Sequence, residues 1–379
     1  MTPDDPAGLP LREDLAGLEP YGAPQLDVPV RLNTNENPYP PSARLASAVA
    51  DAVAAVAGGL NRYPDRDATA LRADLAGYLG HGLTGQTLTG AQVWAANGSN
   101  EIIQQLLQAF GGPGRSALGF EPSYSMHPLI AKVTCTGWLA ACREEDFSID
   151  PGRAASLIRD ARPAVVFLTS PNNPTGTSLP LDVIEAVCDT APGVVVVDEA
   201  YAEFAREGTP SALTLLPRYP RLAVTRTMSK AFALAGARVG YLAASEALIS
   251  KLLIVRLPYH LSAVTQAVAR AALSCAADPL SSVAALRAER DECVSWLRAQ
   301  GYTVADSDAN FVLFGRFADT RAVWQALLDR GVLIREVGPD GWLRVTVGTA
   351  EEMAAFRRAM AGIPELPAPG ALTREVANT

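Results

Sequence analysis

Three apolar runs in the middle of the chain each end in a cluster of polar residues. The runs cover residues 163–169, 193–197 and 222–224, and the second is rich in valine, as is typical of a strand buried in a sheet. Helical patterns alternate with these runs, so the chain is predicted to form a doubly wound α/β fold with a mostly parallel sheet. Such sheets bind ligands just beyond the carboxyl ends of their strands, and the polar clusters therefore mark the expected site.

The pattern changes towards both ends of the chain. The first residues are rich in proline and lack a regular period, which predicts an extended arm. After a boundary near residues 275–285, helices alternate with short strands, which predicts a smaller α+β domain. We therefore expect an N-terminal arm (1–40) that packs on the small domain and the active site, a large domain (41–278), and a small C-terminal domain (279–379) with a mobile, proline-rich tail.

The composition excludes several classes of function. The net charge of −8 argues against binding to nucleic acid or to an anionic membrane. No apolar run approaches a membrane span, and the N-terminus lacks a secretion signal. The five cysteines lack the spacing of a zinc site or a disulfide framework. We expect a cytoplasmic protein without a metal site and without a nucleic-acid or membrane partner. The three histidines, His81, His127 and His260, are interpreted as loop or packing residues.

Lysine is rare in this chain, and one of its three lysines stands in a distinctive place. Lys230 lies in a turn rich in serine and threonine, shortly after the third apolar run. Its amine can condense with a carbonyl group to form an imine, which a guanidinium cannot do. Lys132 and Lys251 are interpreted as surface residues. Lys230 taken alone could equally be a surface lysine beside a helix start, so the neighbouring polar clusters must decide.

These clusters contain the groups that would bind an aldehyde cofactor with a pyridine ring. Asp198, at a strand end, could keep the ring nitrogen protonated, so that the ring accepts electrons. Tyr201 and Asn173 could hydrogen-bond the ring hydroxyl, and Tyr124 could stack on the ring face. Each residue also has an ordinary interpretation: Asp198 as a cap or ion-pair partner, and Asn173 as a turn residue before proline. All of them together after buried strands are improbable as a coincidence.

The same cofactor would need a site for a phosphate. Ser99 and Asn100 stand at a predicted helix start, where free N–H groups and the helix dipole favour anions. Thr227, Ser229 and Arg238 add two hydroxyls and a guanidinium near Lys230. For Ser99 alone, ordinary capping of the helix is the commoner explanation.

Three stretches of the chain resemble one enzyme family. They are residues 170–176 (Ser-Pro-Asn-Asn-Pro-Thr-Gly), 197–201 (Val-Asp-Glu-Ala-Tyr) and 229–240, from Ser-Lys-Ala-Phe to Arg-Val-Gly. They are similar to the fold-type I pyridoxal-phosphate enzymes of the class I/II aminotransferases, and the resemblance extends from residue 33 to about residue 361. It implies an aminotransferase that binds pyridoxal 5′-phosphate, with Lys230, Asp198 and Tyr201 as catalytic residues. It also implies a homodimer with shared active sites, in which Tyr63 reaches the cofactor phosphate of the neighbouring subunit.

Four further stretches resemble the branch of this family that acts on histidinol phosphate: residues 33–38, 62–65, 257–262 and 343–348. This implies amino transfer from L-histidinol phosphate to 2-oxoglutarate, giving imidazole-acetol phosphate and L-glutamate in histidine biosynthesis. It also implies that Tyr21, Asn37, Arg335 and Arg344 bind substrate. An aromatic amino-acid aminotransferase is the main alternative. A phosphate-recognising decarboxylase is less favoured, and so is a cofactor-sensing transcription regulator, because the first 30 residues lack a helix-turn-helix pattern and a basic face.

Overall fold

The structure is a computed structural model that describes residues 9–81, 83 and 87–363. Its helices are α1 (Ala43–Ala57), α2 (Thr69–Gly80), α3 (Ser99–Phe110), α4 (Met126–Val133), α5 (Pro151–Ala161), α6 (Leu181–Thr190), α7 (Glu246–Val255), α8 (Ala263–Ser274), α9 (Ala277–Ala299), α10 (Thr320–Leu328) and α11 (Ala350–Ala361). Its strands are β1 (Val30–Arg31), β2 (Val93–Ala96), β3 (Ser116–Glu121), β4 (Gly137–Cys142), β5 (Val165–Thr169), β6 (Val194–Asp198), β7 (Leu222–Thr227), β8 (Gly240–Ala244), β9 (Thr303–Val304), β10 (Phe311–Gly315), β11 (Val332–Leu333) and β12 (Trp342–Thr346).

Seven strands form the largest sheet, in the order β2-β8-β7-β6-β5-β3-β4. Strand β8 runs antiparallel to both of its neighbours, and the other pairs are parallel. The predicted α/β class with a mostly parallel sheet is therefore confirmed. The pairing of β5, β6 and β7 sets Thr169, Asp198 and Thr225 side by side at the carboxyl edge.

Helices cover both faces of this sheet. Along β6, Val195 and Val197 join the apolar cluster under α1, α2, α5, α6 and α8, whereas Val194 and Val196 join the cluster under α3, α4 and α7. A strand with apolar side chains on both faces is therefore buried on both faces, as the valine run predicts. The two covering layers leave the strand ends as the polar edge of the sheet.

Two small sheets form a second core. Strand β10 pairs antiparallel with β9 and β12, and β1 pairs parallel with β11. Helices α9, α10 and α11 pack on these strands. The backbone of Arg335, just beyond β11, forms an isolated antiparallel β-bridge with that of Arg344 on β12. Strand β1, from the predicted arm, thus joins the C-terminal core. The division into arm, large domain and small domain stays a prediction, and the predicted mobile tail from residue 364 lies outside the described residues.

Several elements lie where the sequence suggested none. The segment after Lys230 forms β8, and the stretch between β3 and β5 forms α4, β4 and α5. In strand β8 (Gly-Tyr-Leu-Ala-Ala), position 240 is glycine because a methyl group there would overlap Gly98 and the Ser99 nitrogen. Helix α3 begins at Ser99, and α9 begins at Ala277. Within the described ranges, no helix is long and apolar enough to cross a bilayer.

Candidate active site

Asp198 is the last residue of β6 and lies at the carboxyl edge of the sheet. Only 2% of its surface is exposed. Its Oδ1 accepts hydrogen bonds from Thr225 Oγ1 at 3.1 Å and from the Ala200 N–H at 3.2 Å, while its Oδ2 lies 3.3 Å from His127 Nε2. Burial of a carboxylate is costly unless it is hydrogen-bonded, and these partners hold it in one orientation.

Lys230 follows β7, one strand away from Asp198. Its Nζ donates a hydrogen bond to the Thr34 carbonyl oxygen at 3.1 Å and lies 5.9 Å from the centre of the Tyr201 ring. Burial, and then the nearby Arg344 charge, lower the pKa of Lys230 to about 8. Its amine is therefore neutral over more of the physiological pH range than an ordinary lysine. Lys132 and Lys251, by contrast, are exposed.

Two tyrosines flank this pair. The Tyr201 hydroxyl accepts a hydrogen bond from Asn35 Nδ2 at 3.0 Å, and its ring meets Phe311 edge to face at 5.0 Å. The Tyr124 hydroxyl donates to Asn100 Oδ1 at 3.2 Å. Burial raises the pKa of both tyrosines, so both hydroxyls keep their protons at neutral pH and can act as donors.

The start of α3 presents groups that suit an anion. Its N-cap is Gly98, which adopts a φ of 83° and has no side chain to cap the first N–H groups. The Arg238 guanidinium lies against Gly98, so that an added methyl group there would be 2.6 Å from Nη2. Arg238 Nη1 donates to Ser229 Oγ at 3.3 Å, and the Ser229 N–H donates to Thr227 Oγ1 at 3.1 Å. A helix start beside a guanidinium and two hydroxyls favours a phosphate.

Arg344 reaches the cavity from β12. Its Nη1 donates to Asn173 Oδ1 at 2.5 Å and its Nη2 to the Asn33 carbonyl oxygen at 2.9 Å, while its buried Nε has no partner among the described residues. Burial lowers its pKa to about 10. In the described part of the chain no carboxylate pairs with Arg344. Arg335 lies beside it and donates to the Gly22 carbonyl oxygen at 3.3 Å.

One cavity of about 290 Å³ joins these groups. The predicted site residues that line it are Tyr21, Ser99, Asn100, Tyr124, Asn173, Asp198, Tyr201, Thr227, Ser229, Lys230, Arg238, Arg335 and Arg344. The large-sheet edge, the start of α3, the second core and the N-terminal arm therefore converge on one space.

A comparison with protein families identifies the chain. The family described as "Aminotransferase class I and II" matches residues 28–360. The chain belongs to this family. Of the described side chains, no group of three or more His, Cys, Asp and Glu residues is arranged to hold a metal ion.

Individual aminotransferases are similar to this one over most of its length. A protein from Thermobifida fusca named histidinol-phosphate aminotransferase is 67% identical, over 93% of this chain and 95% of that protein. A protein of the same name from Frankia casuarinae is 65% identical, over 94% of this chain and 91% of its own length. The crystal structure of the histidinol-phosphate aminotransferase from Sinorhizobium meliloti, in complex with pyridoxal-5′-phosphate, superposes with a TM-score of 0.77 and 22% identity, over 88% of this chain and 90% of that chain. At that identity the superposition shows the shared fold.

Two predicted site residues of this aminotransferase lie outside the cavity. Asn37 is half-buried next to it, and its Nδ2 donates to Ser282 Oγ at 3.2 Å. Tyr63 is 80% exposed and stacks on Tyr259 with ring centres 4.4 Å apart. Their predicted roles stay predictions, and Tyr63 in its present position faces solvent.

The structure also adds residues that the sequence did not suggest. His127, interpreted as a packing residue, does stack on Phe167 at 4.6 Å, but it also contacts the Asp198 carboxylate. That interpretation was therefore incomplete, because α4 was not predicted and nothing else placed residue 127 near residue 198. Asn35 and the Thr34 carbonyl also belong to the site. The density of asparagines in residues 33–37 was the signal that could have found them.

Proposed function

We propose that this aminotransferase moves the amino group of L-histidinol phosphate to 2-oxoglutarate, with imidazole-acetol phosphate and L-glutamate as products. The observation that carries the proposal is the high identity, over nearly the whole chain, to proteins named for this activity. This reaction belongs to histidine biosynthesis. We place the enzyme in the cytoplasm, without a nucleic-acid or membrane partner.

The proposed cofactor is pyridoxal 5′-phosphate, because the cavity offers a partner for each of its functional groups. The Lys230 amine lines the cavity with a lowered pKa, the Asp198 carboxylate is held at the sheet edge, and the uncapped start of α3 lies beside Arg238. When bound, the cofactor supplies an aldehyde for the amino group and a ring that draws in the electron pair left by the broken C–H bond.

Three residues are the proposed catalytic groups. Lys230 would hold the cofactor through its amine and would serve as the base and acid for the proton that amino transfer moves. Asp198, held by Thr225 and His127, keeps the ring nitrogen protonated. The protonated hydroxyl of Tyr201 donates to the ring oxygen.

The other proposed cofactor contacts are supported by the lining of the cavity. Asn173 would share the ring oxygen with Tyr201, and Tyr124 would pack on the ring face. Five groups are proposed to bind the phosphate within one subunit: Ser99, Asn100, Thr227, Ser229 and Arg238. They neutralise the phosphate charge with N–H groups, hydroxyls and a guanidinium, which is the usual composition of such sites.

Substrate is bound, in this proposal, from the second core and the arm. Arg344 takes the anionic end of either substrate, since its spare N–H groups and fixed fork suit a carboxylate or a phosphate. Arg335 supports it, and Tyr21 and Asn37 close the pocket from the N-terminal segment.

Strand β1 pairs with β11, and α9 begins at Ala277, which supports a division into arm, large domain and small domain near residues 40 and 278.

We propose a homodimer with shared active sites, in which Tyr63 contacts the cofactor phosphate of the other subunit. Exposed apolar side chains in the two segments that meet at the stack of Tyr63 on Tyr259 support this: Leu60 is 56% exposed and Leu257 is 75% exposed. Large apolar side chains grouped at a surface are typical of a protein interface.

Steady-state kinetics with three amino donors would test the proposed substrate. We expect kcat/KM for histidinol phosphate to exceed that for phenylalanine and tyrosine by at least about 100-fold, because the phosphate group can bind both the buried Arg344 and the half-buried Arg335. Glutamate formation from 2-oxoglutarate is the readout. A preference for phenylalanine would keep the cofactor chemistry but move the enzyme to the aromatic amino-acid aminotransferases.

A further inference from the structure

A buried ion cluster lies directly behind the site residues, on the opposite face of the large sheet. Side chains alternate along a strand, so Arg226 points away from the site, while its neighbours Thr225 and Thr227 point towards it. Glu199 directly follows Asp198 and, like Arg226, points away from the site. Arg226 Nη2 lies 2.8 Å from Glu199 Oε2, with side-chain exposures of 12% and 4%. This ion pair therefore links the end of β6 to β7 on the face of the sheet opposite the site.

Glu203 joins this cluster from the turn that follows Tyr201. Its Oε1 accepts hydrogen bonds from the Tyr78 hydroxyl at 3.2 Å and from Arg226 Nη1 at 3.3 Å. Its side chain is 7% exposed, and its Oε2 has no partner among the described residues. A buried carboxylate needs such partners to remain charged, so this pairing ties the turn to α2 and β7.

Helix α9 holds the main chain of the same turn. Arg287 Nη2 donates to the Glu203 carbonyl oxygen and Arg290 Nη1 to the Phe204 carbonyl oxygen, both at 2.7 Å. The two arginines are three residues apart on α9 and so project from one face of it. The turn Ala202–Phe204 is thus fastened through its carbonyls to the second core and through the Glu203 side chain to the large sheet.

We propose that Glu203 is a positioning residue for the amino-transfer reaction, which holds the Tyr201 hydroxyl in place by anchoring the turn next to it. Tyr201 directly precedes this turn, and the Phe204 N–H donates to the Tyr201 carbonyl oxygen at 2.9 Å. The inference rests on the proposed function, in which Tyr201 hydrogen-bonds the cofactor ring. Besides Arg226 and Tyr78, the charged or titratable groups around Glu203 are Glu199, Arg287 and Tyr241.

Glu203→Gln tests the proposal, because it keeps the size of the side chain but removes the charge that holds Arg226. The readout is the pH midpoint of the visible absorbance of the bound cofactor. A less firmly held Tyr201 leaves more negative charge on the ring oxygen, so we expect the midpoint to rise by about half to one pH unit. We also expect kcat to fall about three- to tenfold, with KM for histidinol phosphate within about twofold of the wild type.

Glu289→Gln is the matched control. Like Glu203, Glu289 is a largely buried carboxylate that pairs with an arginine, but it lies on α9 and its partner is Arg357, away from this turn. It should leave the midpoint and kcat unchanged. If Glu203→Gln does not fold, Tyr78→Phe removes one of the two hydrogen bonds to Glu203 Oε1 and should shift the midpoint in the same direction. A folded Glu203 or Tyr78 variant with the wild-type midpoint, even at a lower Tm, would overturn the proposal. A wild-type protein without any visible band would instead refute the proposed function.

Discussion

At the scale of single residues, the site depends on how burial changes the behaviour of charged groups. Lys230 is half-buried and Arg344 is buried, and the loss of solvent lowers the pKa of each. For Arg344 a pKa of about 10 still leaves the guanidinium charged at neutral pH. For Lys230 a pKa of about 8 makes the neutral, nucleophilic amine available. The same physical effect therefore suits Arg344 to its proposed role in binding substrate and Lys230 to its proposed role in the chemistry.

The pKa of Lys230 predicts how the cofactor-free protein captures pyridoxal 5′-phosphate. Only the neutral amine reacts, so the capture rate should rise about tenfold per pH unit below about pH 8 and level off above it. Stopped-flow absorbance from about pH 6 to pH 10 measures this. Lys230→Arg keeps the cation but cannot condense and should capture nothing. A capture rate that stays constant across this range would contradict the assignment.

The same pKa has a consequence for stability. The folded pKa of about 8 lies below the ordinary value of 10.5, so between these values the unfolded chain binds more protons than the folded chain. The contribution of Lys230 to the free energy of unfolding of the cofactor-free protein therefore rises with pH across this window. Lys230→Met should lack this rise.

At the scale of helices and strands, the site depends on the contact between α3 and β8. The start of α3 comes so close to β8 that only glycine fits at position 240. The first N–H groups of α3 are thereby placed beside Arg238, Ser229 and Thr227, where a phosphate can meet them all.

Gly240→Ala should therefore weaken both the fold and cofactor binding. The added methyl group would overlap the Ser99 nitrogen, so we expect a loss of about 1–3 kcal/mol in the free energy of unfolding and a markedly higher Kd for pyridoxal 5′-phosphate. Gly236→Ala is the matched control, because nothing lies within 4 Å of a methyl group there. Denaturant unfolding and cofactor titration would check both variants. Equal behaviour of the two variants would refute the role of this contact.

The elements that carry the site were the ones best predicted from sequence. Strands β5, β6 and β7 begin as apolar runs that lead into polar turns, and both features are local. Strand β8 was missed because Gly240 and two alanines weaken its strand pattern, and the contact with α3 that requires Gly240 is not visible in the sequence. Helix α4 was missed because it contains Pro128. The contact between His127 and Asp198 depends on α4 and β6 coming together, so no local pattern could reveal it.

At the scale of the whole molecule, the site is closed by parts of the chain that are far apart in sequence. Strand β1 from the N-terminal segment pairs with β11. Thr346 Oγ1 on β12 donates a hydrogen bond to Asn35 Oδ1, and Asn35 Nδ2 in turn donates to the Tyr201 hydroxyl. The second core thereby brings both Arg344 and the arm over the strand ends. Sequence patterns predicted these parts separately, but their convergence is a property of the folded chain.

The proposed dimer can be tested at its exposed apolar surface. Leu257→Glu should convert the dimer to monomers, because a charge cannot be buried there without a partner. We expect weaker cofactor binding as well, since Tyr63 would lose its partner subunit. Leu139→Glu, at an exposed position on β4, is the control and should stay dimeric. Sedimentation velocity distinguishes the two, and a wild-type protein that sediments as a monomer would contradict the proposal.

A single half-reaction tests the proposed substrate and the role of Lys230 together. The enzyme with bound pyridoxal 5′-phosphate is mixed with histidinol phosphate in the absence of any keto acid, and its visible absorbance is followed. We predict rapid loss of the visible band, with one imidazole-acetol phosphate formed per site, much faster than with phenylalanine. Lys230→Ala, still folded, should show no such conversion. A wild-type band that histidinol phosphate leaves unchanged, or a Lys230→Ala variant that turns over normally, would contradict the account.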